Sequence, residues 1–156
     1  MILNSSALIF EIQKWRADNK KIIFTNGCFD LVHVGHLRTF NEAKKMGDIL
    51  VVGVNSDRSV KALKGETRPL ISEQDRAELV AALKPVDCVV IFDEIDVSYL
   101  LETVKPDIYV KGGDYNLENL PEKKTIVRFN IEVAFIPLVA GISTTELINR
   151  IRKANI

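Results

Sequence analysis

His33 and His36 are the only histidines in this chain of 156 residues. They stand three apart at the end of Thr25-Asn26-Gly27-Cys28-Phe29-Asp30-Leu31-Val32-His33-Val34-Gly35-His36. Two imidazoles at that spacing, where a helix opens, can face one ligand together. An anion such as a polyphosphate suits them, because backbone N–H groups at a helix start already attract negative charge. Gly35 has no Cβ, so backbone and ligand can approach closely there. Cys28, His33 and His36 could instead supply three zinc ligands, although no fourth stands out.

Other residues carry two readings each. Asp30 follows the Asn26-Gly27 turn and can bind substrate or metal, or hold the loop by accepting backbone N–H bonds. Asp57 reads as the cap of the helix that begins there. Arg76 also opens a helix, where a cation opposes the macrodipole. That misfit asks for an acidic partner: Glu73, or a phosphate or carboxylate ligand. Lys61 and Lys64 form a basic stretch of the kind usually solvated, and Arg68 can pair with Glu66. Lys111 stands beside two glycines, as a surface charge or a phosphate contact, and Asp114 suits a hydroxyl or Mg²⁺. Ser143-Thr144-Thr145-Glu146 reads as a capping box, yet three hydroxyls at a helix start also make an anion cradle.

These residues need a frame that brings them together. Short apolar runs at 21–26, 49–55, 88–92, 107–110 and 132–137 read as five strands. Several are continuous and β-branched, as parallel strands covered on both faces are. Between them lie helical patterns: Leu8, Ile12 and Trp15 share one face, as do Leu37, Phe40 and Ala43. Ala77, Val80, Ala81 and Lys84 follow the same spacing, and so do Val97, Leu100, Leu101 and Val104. Ser72 reads as a further helix cap. Strand–helix alternation predicts a Rossmann-like, doubly wound parallel five-stranded sheet in three α/β/α layers. One domain spans 1–156, with a helical extension at 1–19 and a core at 20–153. Ligands of such sheets bind beyond the strand carboxyl ends. The loops at 26–30, 55–57, 111–114 and 141–145 would meet on that rim.

Composition narrows the partners. Apolar residues make up 47% and charged residues 27%, with 21 basic and 21 acidic side chains. That balance gives no global pull toward nucleic acid or an anionic membrane. Two isolated cysteines are not a disulfide framework and suit a reducing compartment. No signal-peptide pattern opens the chain, and no run approaches the ~20 apolar residues of a membrane helix. A soluble cytoplasmic domain is expected.

The residues 25–30, His33-Val34-Gly35-His36 and Gly141-Ile142-Ser143-Thr144-Thr145 resemble the cytidylyltransferase-like branch of the H-x-G-H nucleotidyltransferases over about residues 20 to 153. Val54-Asn55-Ser56-Asp57, the segment Leu63-Lys64-Gly65-Glu66-Thr67-Arg68-Pro69 and Val110-Lys111-Gly112-Gly113-Asp114-Tyr115 are most similar to the heptose 1-phosphate adenylyltransferases within it. Glycerol-3-phosphate cytidylyltransferases carry an Arg three residues before the Gly of the late motif; Leu138 stands there in this chain. The resemblance implies that AMP passes from ATP, with Mg²⁺, to a sugar 1-phosphate, most nearly D-glycero-β-D-manno-heptose 1-phosphate. ADP-heptose and pyrophosphate would leave. A separate heptose 7-phosphate kinase would act upstream, and the product would feed a surface glycan such as lipopolysaccharide. Relatives of this fold often form homodimers, though no exposed seam is legible.

It also implies roles. His33, His36 and Lys64 would be catalytic. Thr25, Asn26, Gly27, Cys28, Phe29, Gly35, Gly113, Asp114, Ser143, Thr144 and Thr145 would hold the nucleotide and its phosphates. Asp30, Asn55, Arg68, Lys111 and Tyr115 would bind the acceptor, and no protein residue is assigned to the metal. A phosphate oxygen is already anionic, so no general base is needed; the protein aligns two anions and stabilises the equatorial charge. The alternatives are a CTP-dependent enzyme acting on glycerol 3-phosphate, a non-catalytic nucleotide-binding module, and a zinc-structured interaction domain.

Overall fold

The computed structural model describes residues 1–113, 115–137 and 141–154. Asp114 and the Leu138 position lie outside those residues. The apolar runs become β2 (Ile22–Gly27), β3 (Ile49–Asn55), β4 (Cys88–Phe92), β5 (Ile108–Gly112) and β6 (Glu132–Ile136). A sixth strand, β1 (Ile2–Leu3), pairs with Val89 and Val90 at the sheet edge. Two residues are too few for any periodicity, so the sequence expectation of five strands omits it. All pairings are parallel, in the order β1-β4-β3-β2-β5-β6. β3 is buried from Leu50 to Asn55, as a central strand covered on both faces must be.

Helices cover each face. α1 (Ser5–Ala17) lays Leu8, Ile12 and Trp15 against Phe24, Val51 and Val90. α5 (Ser98–Val104) and α6 (Lys123–Arg128) complete that layer through Leu101 and Ile126. On the other face, α2 (Val34–Lys44) brings Phe40 and Ala43, and α4 (Glu73–Ala81) brings Ala77 and Val80, onto Ile23, Leu50 and Val52. Trp15 is therefore spent on the sheet rather than on an outer surface.

The strand order turns at β2. From there the chain builds outward through β3 and β4, then returns to place β5 on the other side. β2 and β5 pair only at Ile23–Ile108 and Phe24–Tyr109. Beyond that point they part, and the crevice between their carboxyl ends is the topological switch point where ligands of this architecture sit. α3 (Asp57–Lys64) and α7 (Thr144–Lys153) flank the crevice.

Candidate active site

β2 delivers Asn26 and Gly27 to the crevice, and the chain then folds back sharply. Phe29 adopts a positive φ of 48° and is buried, turning inward beneath the α2 helix start. His33 caps that helix. Its Nδ1 accepts from the Gly35 N–H at 3.1 Å, and Nδ1 of His36 accepts from the His33 N–H at 3.3 Å. With Nδ1 an acceptor in both rings, each neutral imidazole carries its proton on Nε2. The rings stack, 3.8 Å between centroids and 21° from parallel. Burial, and secondarily the neighbouring His33, lowers the pKa of His36 to about 4; burial alone lowers that of His33. Both histidines are thus neutral Nε2–H donors rather than the cations that charge stabilisation first suggests.

Gly35 also has a task within the protein itself. A Cβ there would stand 2.9 Å from Cε1 and Nδ1 of His33. The missing side chain makes room for the folded-back imidazole, and Gly35 lines a cavity beside it.

The opposite wall is the start of α7. Ser143 caps it, accepting from the Glu146 N–H at 3.1 Å. Thr144 donates its hydroxyl to the Leu31 carbonyl at 3.4 Å, crossing from the end of the chain to the β2–α2 loop. The two helix starts nearly touch: a Cβ on Gly35 would lie 3.8 Å from the Ile142 carbonyl oxygen. His33, His36, Ser143 and Thr144 share a cavity of 240 Å³ with Thr25 and Cys28. His36 and Thr144 also line a larger one, of 530 Å³, that carries the crevice out to Lys64, Asn55 and Lys111. Two helix N-termini and two imidazole donors around one space can hold an anion.

Two buried clamps hold the walls. Asp30 accepts from the Leu70 and Ile71 N–H groups at 2.7 and 3.1 Å and pairs with the Arg68 guanidinium. Its carboxylate is committed to the chain, and Arg68 pairs with it rather than with Glu66. Arg76, fully buried, donates to the carbonyls of Ile71 (2.9 Å) and Cys28 and to Asp57 Oδ1 at 2.7 Å. Its acidic partner is Asp57, while Glu73 takes the Asp57 N–H at 2.6 Å. The α3 cap is accordingly Ser56, which frees Asp57 for Arg76. Lys64, at the other end of α3, is exposed and makes no ion pair among the described residues; it lines the larger cavity.

Also on the wall of that cavity, Asn55 is buried and donates to Ser59 Oγ at 2.8 Å. Lys111 Nζ lies 3.4 Å from Glu122 Oε1, between the rings of Tyr109 (5.5 Å) and Tyr115 (5.2 Å). The Tyr109 hydroxyl shares its proton between Asn26 Oδ1, at 2.7 Å, and Glu122 Oε1. Burial and the adjacent Glu122 push the Tyr109 pKa well above its ordinary value, so it stays a donor.

Of the residues picked out by sequence, Asn26, Gly27, Cys28, Phe29, Asp30, His36, Asn55, Lys64, Arg68, Lys111, Tyr115, Thr144 and Thr145 line the larger cavity, and Thr25, His33, Gly35 and Ser143 join the smaller. Gly112, not Gly113, forms the wall; Gly113 has φ +123° and donates to the Ile136 carbonyl at 3.1 Å. Burial raises the Cys28 pKa despite the nearby Lys64 and Arg76, keeping the thiol protonated. No three His, Cys, Asp or Glu side chains among the described residues converge as a metal site, which leaves the zinc alternative without support. Tyr109 and Glu122 escaped the sequence reading. The available signal was a lone tyrosine in an aliphatic strand, whose buried hydroxyl demands a partner.

Residues 24–150 match the family model described as cytidylyltransferase-like. The chain is 49% identical over 153 residues to the bifunctional protein HldE of Geobacter metallireducens, covering 98% of this chain and 31% of that protein. It is 44% identical over 149 residues to HldE of Koribacter versatilis, covering 96% and 31%. So it spans about a third of the length of these curated relatives. Among solved structures it is similar to the lipopolysaccharide core biosynthesis protein of Thermoplasma volcanium. That likeness has a TM-score of 0.62 and 32% identity over 77% of this chain and 97% of the other.

Proposed function

From the premise that this chain belongs to the cytidylyltransferase-like family and is a nucleotidyltransferase, we propose that it transfers AMP from ATP to a sugar 1-phosphate. The acceptor is read as D-glycero-β-D-manno-heptose 1-phosphate, and the products as ADP-heptose and pyrophosphate. One observation carries this: the His33–His36 pair and the α7 start enclose a cavity, and His36 and Thr144 also line the larger one that reaches Lys64 and Lys111.

The acceptor phosphate oxygen attacks the α-phosphorus, and the bond to the bridging oxygen of pyrophosphate breaks. The Nε2–H groups of His33 and His36, with the α7 N–H groups (those of Thr144 and Thr145 among them) and the Thr145 hydroxyl, donate to phosphate oxygens. Such donors count most where charge builds up in the transition state. Lys64 swings a mobile ammonium onto the same oxygens. Asp30 and Arg76 act at one remove, fixing the loop and the segment that carry these groups. Mg²⁺ bound with ATP would supply further neutralisation of phosphate charge. Asp30 and Glu122 are paired with Arg68 and Lys111, a donor set that suits a metal held by the nucleotide rather than by a protein cage.

A homodimer and an upstream kinase acting on heptose 7-phosphate belong to the same proposal, as implications of the family resemblance. Pyrophosphate release with ATP or CTP against a panel of sugar and polyol phosphates tests it. Turnover with ATP and heptose 1-phosphate is expected. Turnover with CTP and glycerol 3-phosphate alone would make the cytidylyl enzyme correct, and tight ATP binding without release would mark a binding module.

A further inference from the structure

Glu122 is 3% exposed and sits at the N-cap of α6, yet its side chain makes no capping bond there. It turns instead to the crevice. Oε1 takes the Tyr109 hydroxyl and the Lys111 ammonium. Oε2 has no protein donor among the described residues. Every described side-chain oxygen or nitrogen that is sealed from solvent does have a partner. Glu122 lines the 530 Å³ cavity, so an Oε2 with no donor among the described residues is available to a ligand there. A carboxylate oxygen can only accept hydrogen bonds, and at this end of the cavity Lys111 already balances its charge.

From this geometry we infer that Glu122 determines acceptor specificity by taking a hydroxyl of a polyhydroxylated substrate on Oε2. Through Oε1 the same carboxylate holds Lys111 between Tyr109 and Tyr115. The cavity then has two chemically distinct ends. The histidine and α7 end reads phosphate, and the Glu122 end reads hydroxyl groups. The inference rests on the sugar-phosphate reading above and names the group that would recognise the sugar.

Equilibrium binding to the full chain tests it with three probes: heptose 1-phosphate, its single-deoxy analogues, and ethyl phosphate, which keeps the anion without the hydroxyls. Glu122→Gln should raise the Kd of the sugar phosphate by at least about tenfold, since a charge-assisted bond is lost. The Kd of ethyl phosphate and of a non-hydrolysable ATP analogue should stay within about twofold. In the parent, one deoxy analogue should lose a similar factor, and Glu122→Gln should be indifferent to that deletion. Equal sugar-phosphate affinity in the two proteins, or equal weakening of ethyl phosphate, overturns the inference. Should the variant fail to fold, the parent decides alone: no hydroxyl deletion costing more than about twofold overturns it. Pyrophosphate release by the parent separates the two claims. Hydroxyl-dependent binding without release leaves Glu122 in this role and defeats the transferase reading; release without hydroxyl dependence does the reverse.

Discussion

Phe29 meets the His36 ring edge-on, with centroids 5.2 Å apart and planes at 78°. Together with the His33 stack and the bond to Nδ1, this fixes the direction in which Nε2–H of His36 points. The donor is set before any ligand arrives, which is what electrostatic catalysis requires. Replacing His36 with Ala removes a donor aimed at transferring charge. Turnover should fall about 10²–10³-fold, while the lost ring contacts should cost only about 0.5–1.5 kcal/mol of stability. Steady-state kinetics beside thermal melts check this; unchanged turnover removes His36 from the machinery.

The pH response follows from the same ring. His36 has a folded pKa of about 4 against 6.5 for the free side chain. Between those values the unfolded chain binds the proton that the folded chain refuses, so stability falls as pH drops from about 6.5 toward 4. Melts of the parent across that window should slope more steeply than those of His36→Gln. Identical slopes would mean that the buried ring is already charged.

Gly35→Ala separates shape from stability. Alanine is the better helix former by about 0.8–1.0 kcal/mol, which offsets the ~1 kcal/mol lost with the His33 cap, so the melting temperature should change little. Its Cβ would nevertheless strike the His33 imidazole at 2.9 Å and displace it. An active protein with unaltered kcat would show that His33 need not fold back over Gly35.

Lys64 and Asp30 should behave as opposites. Lys64→Ala should leave the melting temperature unchanged and reduce kcat, because the side chain is exposed and unpaired among the described residues. Asp30→Ala strands the Arg68 charge and two N–H groups, at a cost of about 3–5 kcal/mol in stability. Its catalytic defect should follow from a loosened 64–71 segment and be eased by conditions that stabilise the fold. A full loss of activity with no loss of stability would instead place Asp30 against the substrate.

Much of the frame was legible because it is periodic. The 88–92 run became β4 residue for residue, and Leu8, Ile12 and Trp15 were buried together as their spacing required. The H-x-G-H pair and the late hydroxyls met because both stand where strands give way to helices. What stayed hidden are partnerships between distant residues. Arg76 chose Asp57 over Glu73, and Asp30 chose Arg68, through contacts that only the folded loop creates. Glu122 lies 13 positions from Tyr109, and no local pattern joins an acid after a proline to a tyrosine in a strand.

The last helix supplies one wall of the pocket without a single buried side chain of its own. The sheet is already complete at Ile136. Architecture and grip are thereby divided: a shortened chain ending before Gly141 would keep its scaffold and lose its clasp. An anion bridging the two helix starts would add to the Thr144–Leu31 bond in fastening the clasp, so occupancy should shield the C-terminal segment from proteases.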